Sequence, residues 1–172
     1  MAKYIPGKPK IVMNFMPGAG GGSSIFPISP NRPRSANTAI IRPSPNRATH
    51  CGRPHANLWV FDVTDPADMQ PQSIYKVSEA DSPWSQVAGT RFGAHQFQEH
   101  MTDTLVYSAW FSGGLRITDI ADPLAPRETG YFIPEPVDGH PTPQTNDLDV
   151  DTRGLVYLVY RFNGFDIIEY SG

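Results

Sequence analysis

Thr104-Leu-Val-Tyr-Ser-Ala-Trp-Phe-Ser-Gly-Gly-Leu-Arg-Ile-Thr-Asp119 returns, almost in register, as Gly154-Leu-Val-Tyr-Leu-Val-Tyr-Arg-Phe-Asn-Gly-Phe-Asp-Ile-Ile-Glu169. Leu105, Val106 and Tyr107 fall on Leu155, Val156 and Tyr157, and Gly114 falls on Gly164, a constant offset of 155 − 105 = 50 residues. A partial third copy lies upstream, where Leu58-Trp-Val-Phe-Asp-Val-Thr-Asp-Pro66 matches Leu115-Arg-Ile-Thr-Asp-Ile-Ala-Asp-Pro123 at an offset of 115 − 58 = 57. A repeat of this length built from short strands predicts a β-propeller. One four-stranded blade cannot bury its own faces and must stack on neighbours.

The strands can be read outward from these blocks. Leu58 to Val63 and Gln72 to Val77 form the first hairpin. His95 to His100, Thr104 to Phe111, Leu115 to Ile120 and Arg127 to Ile133 supply a complete second unit of four strands. Asp147 to Val150, Leu155 to Arg161 and Phe165 to Tyr170 give a third unit that stops one strand short, and Lys10-Ile-Val-Met-Asn-Phe15 is the candidate to complete it. Asp65-Pro66 and Asp122-Pro123 are strand terminators, because Asp accepts backbone hydrogen bonds in a turn and Pro cannot extend a ladder. Gly113-Gly114 and Asn163-Gly164 read as tight hairpin turns.

Residues 1–56 differ in texture from residues 57–172. The run Met16-Pro-Gly-Ala-Gly-Gly-Gly-Ser-Ser24 and the Pro, Asn and Arg spacing from Pro27 to Arg47 read as irregular chain, with short strands at Lys10 to Phe15 and Thr38 to Arg42. The glycine run lacks the Lys with Ser or Thr and the following helix that a phosphate-cradling loop requires, so nucleotide binding is not expected.

Composition narrows the classes. Of 172 residues, 39% are hydrophobic and 18% charged, which fits a globular domain, and 18 Pro with 15 Gly disfavour long helices. A net charge of −3 argues against nucleic acid as a main partner. The single cysteine, Cys51, rules out an intrachain disulfide. The start lacks the apolar core of a signal peptide, and no window reaches the roughly 20 apolar residues of a membrane span. At about 50 residues per blade the chain holds about three and a half blades, where propellers need about 4 to 8. Oligomerisation, or membership of a larger ring, is therefore expected.

The phrases Arg91-Phe-Gly-Ala-His-Gln-Phe-Gln-Glu-His100, Gly114 to Pro134 and Gln144-Thr-Asn-Asp-Leu-Asp-Val-Asp-Thr-Arg-Gly-Leu-Val-Tyr157 resemble the C-terminal blades of the LVIVD-repeat proteins. That resemblance covers roughly Asn57 to Tyr170. It implies a bacterial or archaeal propeller, often exported, in a family mostly without assigned activity and with longer full-length members. More distantly, the chain is similar to selenium-binding proteins, methanethiol oxidases and carotenoid-cleaving oxygenases, propellers that hold a metal in the axial channel through inner-strand histidines. That analogy puts His95 at the start of an inner strand.

Strand periodicity places His95, Phe97 and Glu99 on one face, so Glu99 is a candidate to orient a His95-bound metal. Thr49-His-Cys-Gly-Arg-Pro-His55 adds His50 and His55 as candidate ligands, since imidazole and thiolate suit zinc, copper or iron. Asp147 and Asp149, in the acidic run ending at Asp151, are candidate acid-base groups, and His140 is expected on an exposed rim loop. Two functions follow as expectations. One is a scaffold or recognition module binding a protein or small molecule at a rim. The other is a metal-dependent oxidoreductase or hydrolase acting on a small molecule in the channel.

Overall fold

The structure is a computed structural model that describes residues 2–4, 10–15, 56–78, 83–85, 87, 90–101 and 103–172. Its regular elements are all strands: β1 (Ala2–Tyr4), β2 (Lys10–Phe15), β3 (Asn57–Asp62), β4 (Gln70–Tyr75), β5 (Leu105–Ala109), β6 (Leu115–Asp119), β7 (Arg127–Phe132), β8 (Thr145–Val150), β9 (Leu155–Tyr160) and β10 (Phe165–Glu169). They form three antiparallel sheets, ordered β1-β2-β3-β4, β5-β6-β7 and β8-β9-β10. Among the described residues there is no helix, and the described fold is all-β.

Each sheet is a meander whose turns are set by local chemistry. In the phrase shared by the first two sheets, Asp62 Oδ1 accepts from Thr64 N (2.9 Å) and Asp65 Oδ1 from Ala67 N (2.9 Å). Asp119 and Asp122 repeat both bonds, to Ala121 N (2.9 Å) and Leu124 N (3.0 Å). In each of the two sheets a pair of successive carboxylate-capped turns makes one chain reversal, ending β3 and β6 and launching β4 and β7. At the β5–β6 hairpin the glycine is obligatory. Gly114 has φ +78°, and a Cβ there would lie 2.2 Å from the Phe132 carbonyl oxygen.

The first sheet corrects one expectation. Lys10–Phe15 pairs antiparallel with β3, from Lys10↔Asp62 to Phe15↔Asn57, instead of extending the last sheet. It takes the place in the first sheet that β5 takes in the second, one strand before the copy of the shared phrase. The 57 − 15 − 1 = 41 residues between β2 and β3 replace what is a tight turn between β5 and β6. Thr38 to Arg42 lies outside the described residues.

Alternation along the strands gives each sheet two faces, and those faces define two cores. Leu58 and Val60 of β3 pack with Phe97, Val106, Trp110 and Ile120 in the core between the first and second sheets. Ala109, Leu115 and Ile117, on the opposite face of the second sheet, pack with Leu148, Val156 and Leu158 of the third. All these residues are at most 4% exposed, and burial of such a side chain stabilises by about 1.5–3 kcal/mol. The three sheets are therefore stacked face to face in chain order.

Polar contacts lock the stack at its edges. Between the first two sheets, Tyr75 meets Trp110 edge-on (centroids 5.8 Å apart) and its hydroxyl donates to Glu128. Glu128 also pairs with the fully buried Arg116, whose Nη1 lies 3.3 Å from Oε2, while Arg116 Nε donates to Gly113 O at 2.8 Å. Between the second and third sheets, Tyr170 meets Tyr107 edge-on and donates to Thr129 O (3.2 Å).

Candidate functional site

The segment carrying His95 is less regular than the strand expected from His95 to His100. His95 N donates to Ala109 O (2.8 Å), Ala109 N to Gln96 O (2.8 Å) and Gln98 N to Tyr107 O (3.2 Å). Two residues, His95 and Gln96, thus face the single Ala109, which is a β-bulge. The Gln98 side chain then imitates backbone, donating through Nε2 to Leu105 O (3.0 Å) and accepting from Tyr107 N through Oε1 (2.9 Å). This segment lies along the β5 edge of the second sheet, held by bridges and a side chain in place of a full ladder.

The bulge breaks the expected alternation of His95, Phe97 and Glu99 on one face. Phe97 is 1% exposed and belongs to the first core, whereas Glu99 is exposed. His95 is half-buried against Phe111, with ring centroids 4.5 Å apart, and Arg91 lies over the same Phe111 ring (5.5 Å). The His95 Nδ1 hydrogen-bonds the Asn146 carbonyl oxygen. A carbonyl only accepts, so Nδ1 is the donor of this bond, and in the neutral ring Nε2 holds the lone pair.

The His95 segment on the second sheet and β8 at the edge of the third run alongside each other here. His95 reaches Asn146, and four residues on Glu99 N donates to Asp149 Oδ1 (3.2 Å). Asp147 and Asp149 are both exposed, on the face of β8 opposite buried Leu148, and Asp147 Oδ1 accepts from the next backbone amide, Leu148 N (2.9 Å). Asp151 belongs elsewhere. It anchors the β8–β9 turn through Arg153 Nη2 (2.7 Å) and the amides of Arg153 and Leu155, and although desolvation opposes them these bonds hold its carboxyl below the usual range.

His50, Cys51 and His55 lie outside the described residues. Among the described residues no three His, Cys, Asp or Glu side chains come together as a metal-binding group. His95, with Nδ1 held and Nε2 free to ligate, is suited to a metal. The described residues alone do not complete a ligand set around it.

A second feature lies at the end of the stack where the β7–β8 connection meets the β9–β10 hairpin. Gln144, 7% exposed, is its fastener: Nε2 shares its two hydrogens among Arg91 O (3.1 Å), Thr142 Oγ1 (3.1 Å) and Pro143 O (2.8 Å), and the Gln144 backbone carbonyl accepts from Arg161 N (2.9 Å). These bonds hold the connection and the hairpin on either side of a cleft of about 160 Å³. Phe132, Val137 and Phe162 supply apolar walls, and Glu135, Tyr160 and Asp166 supply polar groups.

The electrostatics of this cleft centre on the Tyr160 hydroxyl, which donates to the Asp166 carboxylate. Desolvation, followed by the Asp166 hydrogen bond and charge, pushes the Tyr160 phenol far above its ordinary range, so it stays protonated as a donor. His140, expected to be exposed, is half-buried and stacks flat on Phe162 with centroids 3.8 Å apart and planes 7° from parallel. In the sequence His140 stands out on its rim loop, and Tyr160 is one of several aromatics read mostly as packing, of which one or two near a rim could form a ligand platform. The cleft residues lie on separate elements, and the Asn163-Gly164 turn marked one wall.

Compared with known proteins, the chain matches no protein-family model and no curated sequence. Among the described residues no helix is long and apolar enough to cross a membrane.

Proposed function

We propose that the chain is a propeller-type recognition module of the LVIVD-repeat kind, whose blades are the three stacked sheets and whose rim cleft receives a small molecule or a side chain of a protein ligand. The observation that carries this reading is the cleft between the β7–β8 connection and the β9–β10 hairpin. Apolar walls with a few convergent polar groups are the common form of a ligand site. Glu135 and Asp166 offer acceptors, the Tyr160 ring and Phe132 offer apolar surface, and the matching ligand has an apolar body with one or two hydrogen-bond donors. The test is a fragment screen read by amide chemical-shift changes in the full chain. The reading expects hits whose shifts centre on Phe132, Val137 and Phe162 and vanish in Asp166→Leu. Hits that cluster elsewhere contradict it.

A second reading, a metal-dependent enzyme in the channel, rests on His95. A histidine whose Nδ1–H is held by a backbone carbonyl is oriented for ligation through Nε2. In this reading copper, zinc or iron bound there with His50 and His55 would supply Lewis-acid or redox chemistry. Glu99 is the candidate to orient the His95 ligand, and Asp147 and Asp149 are the candidate proton carriers. Metal analysis of the purified chain separates the two readings: stoichiometric metal lost in His95→Ala supports the enzyme, and metal retained in that variant removes His95 from the site.

A further inference from the structure

Three large apolar residues on one face of the third sheet are exposed: Val159 at 40%, Phe165 at 58% and Ile167 at 57%. Phe165 pairs directly with Val159, and Ile167 follows Phe165 by two, so they form one patch. The repeat says what such positions do. Subtracting 50 gives Ala109, Leu115 and Ile117, which are 0%, 1% and 2% exposed because the third sheet covers them. Subtracting a further 57 from Leu115 and Ile117 gives Leu58 and Val60, both 0% exposed because the second sheet covers them. The places of Phe165 and Ile167 thus meet a following sheet twice and solvent the third time, and the place of Val159 meets a following sheet at Ala109.

The opposite end of the stack carries the complementary side. On β3 the face away from Leu58 and Val60 presents Trp59 and Phe61, stacked with centroids 6.0 Å apart, and Ile74 of β4 sits directly opposite Trp59 and is 48% exposed. That face occupies the position by which the second and third sheets dock onto their predecessors.

We propose that the Val159–Phe165–Ile167 face docks a second copy of this chain head to tail, against the Trp59–Phe61–Ile74 face of its first sheet. The contact continues the two blade interfaces inside the chain. It buries positions whose repeat equivalents are already buried there. The proposal rests on the propeller reading in one respect: two stacks of three sheets give six, within the about 4 to 8 blades that close a ring. A head-to-tail contact that closes stops at a dimer, and one that does not close runs on into open chains.

The test uses full-length chains carrying Cys51→Ser. One carries Ile74→Cys and the other Ile167→Cys, and they are mixed and treated with a short bis-maleimide. The proposal expects cross-linked pairs in the mixture and none from Ile167→Cys alone. Self-linking of Ile167→Cys at comparable yield would make the contact face-to-face and overturn it, as would the absence of any cross-link. Sedimentation of the chain without cross-linker then addresses ring closure separately: particles that stop at two chains support the propeller, and a ladder of larger ones keeps the docking face but overturns the ring. Phe165→Asp, at an exposed position, is expected to abolish cross-linking with the far-ultraviolet circular dichroism unchanged.

Discussion

Thr145, the first residue of β8, donates twice to the carbonyl oxygen of Phe111, from its amide (3.0 Å) and from Oγ1 (2.9 Å), and Oγ1 also reaches Gly114 O (3.1 Å). Phe111 has φ +44°, which a non-glycine residue adopts only at a cost of about 1–2 kcal/mol. The third sheet therefore grips the β5–β6 turn at its most strained point. The same turn presents the ring on which His95 and Arg91 rest. Thr145→Val keeps the shape and removes the buried hydroxyl bonds. Chemical denaturation is expected to show a loss of about 1–2 kcal/mol.

The glycine of that turn is the more sensitive neighbour. At Gly114 a methyl group would meet the Phe132 backbone at 2.2 Å, whereas at Gly164, with φ +35°, it would meet nothing within 4 Å. Gly114→Ala is expected to cost well over about 2 kcal/mol and Gly164→Ala about 1 kcal/mol, since the first adds a backbone clash to the dihedral penalty. Thermal melts of the two variants side by side check the order. Equal shifts would mean that the strands on either side of Gly114 yield easily.

Arg116 is completely buried, and Glu128, with its side chain 27% exposed, balances its charge. Removing the carboxylate leaves a desolvated cation, which in a fully buried pair costs about 3–5 kcal/mol. Partial exposure of Glu128 screens the pair, so Glu128→Ala is expected to cost about 2 kcal/mol. Tyr75→Phe removes only a neutral donor to the same carboxylate and is expected to cost about 1 kcal/mol. A double-mutant cycle on Tyr75 and Glu128 checks whether the first and second sheets are coupled through this carboxylate.

Ionisation of Tyr160 should be conspicuous in an alkaline titration. Burial, then the Asp166 hydrogen bond and charge, raise the phenol above its ordinary 10.0. Because the folded value is raised, the stability that Tyr160 contributes is fully present below pH 10. It is lost as pH rises toward the folded value, since the unfolded chain ionises first. Tyr107, raised by burial and then by Asp103 and Tyr170, acts in the same direction. Absorbance near 295 nm should show phenols that ionise only on alkaline unfolding, and Asp166→Asn should lower one of them while burial, the larger cause, still holds it above the ordinary range.

Local pattern and long-range structure were not equally legible in the sequence. The 50-residue repeat, the Asp-Pro turns and the strands from Leu105 to Glu169 could be read because their causes are local: side-chain alternation, carboxylate capping and glycine at positive φ. The pairing of Lys10–Phe15 with β3 was hidden, because 41 intervening residues erase the hairpin signature that joins β5 to β6. The bulge at His95 and Gln96 was hidden as well. An extra residue shifts every later side chain, and nothing in Arg91 to His100 announces it. The cleft needed Phe132, Tyr160 and Asp166 to meet from separate strands, a relation set by how the sheets stack.

That stacking is the centre of the account, and the mass of the native particle tests it most directly. With one chain at 19.0 kDa, native mass spectrometry of the freshly purified protein is expected to give 2 × 19.0 = 38.0 kDa, shifting to one chain when Ile167→Asp is introduced. A particle of 19.0 kDa at every concentration, with the Val159, Phe165 and Ile167 face left in water, would contradict it.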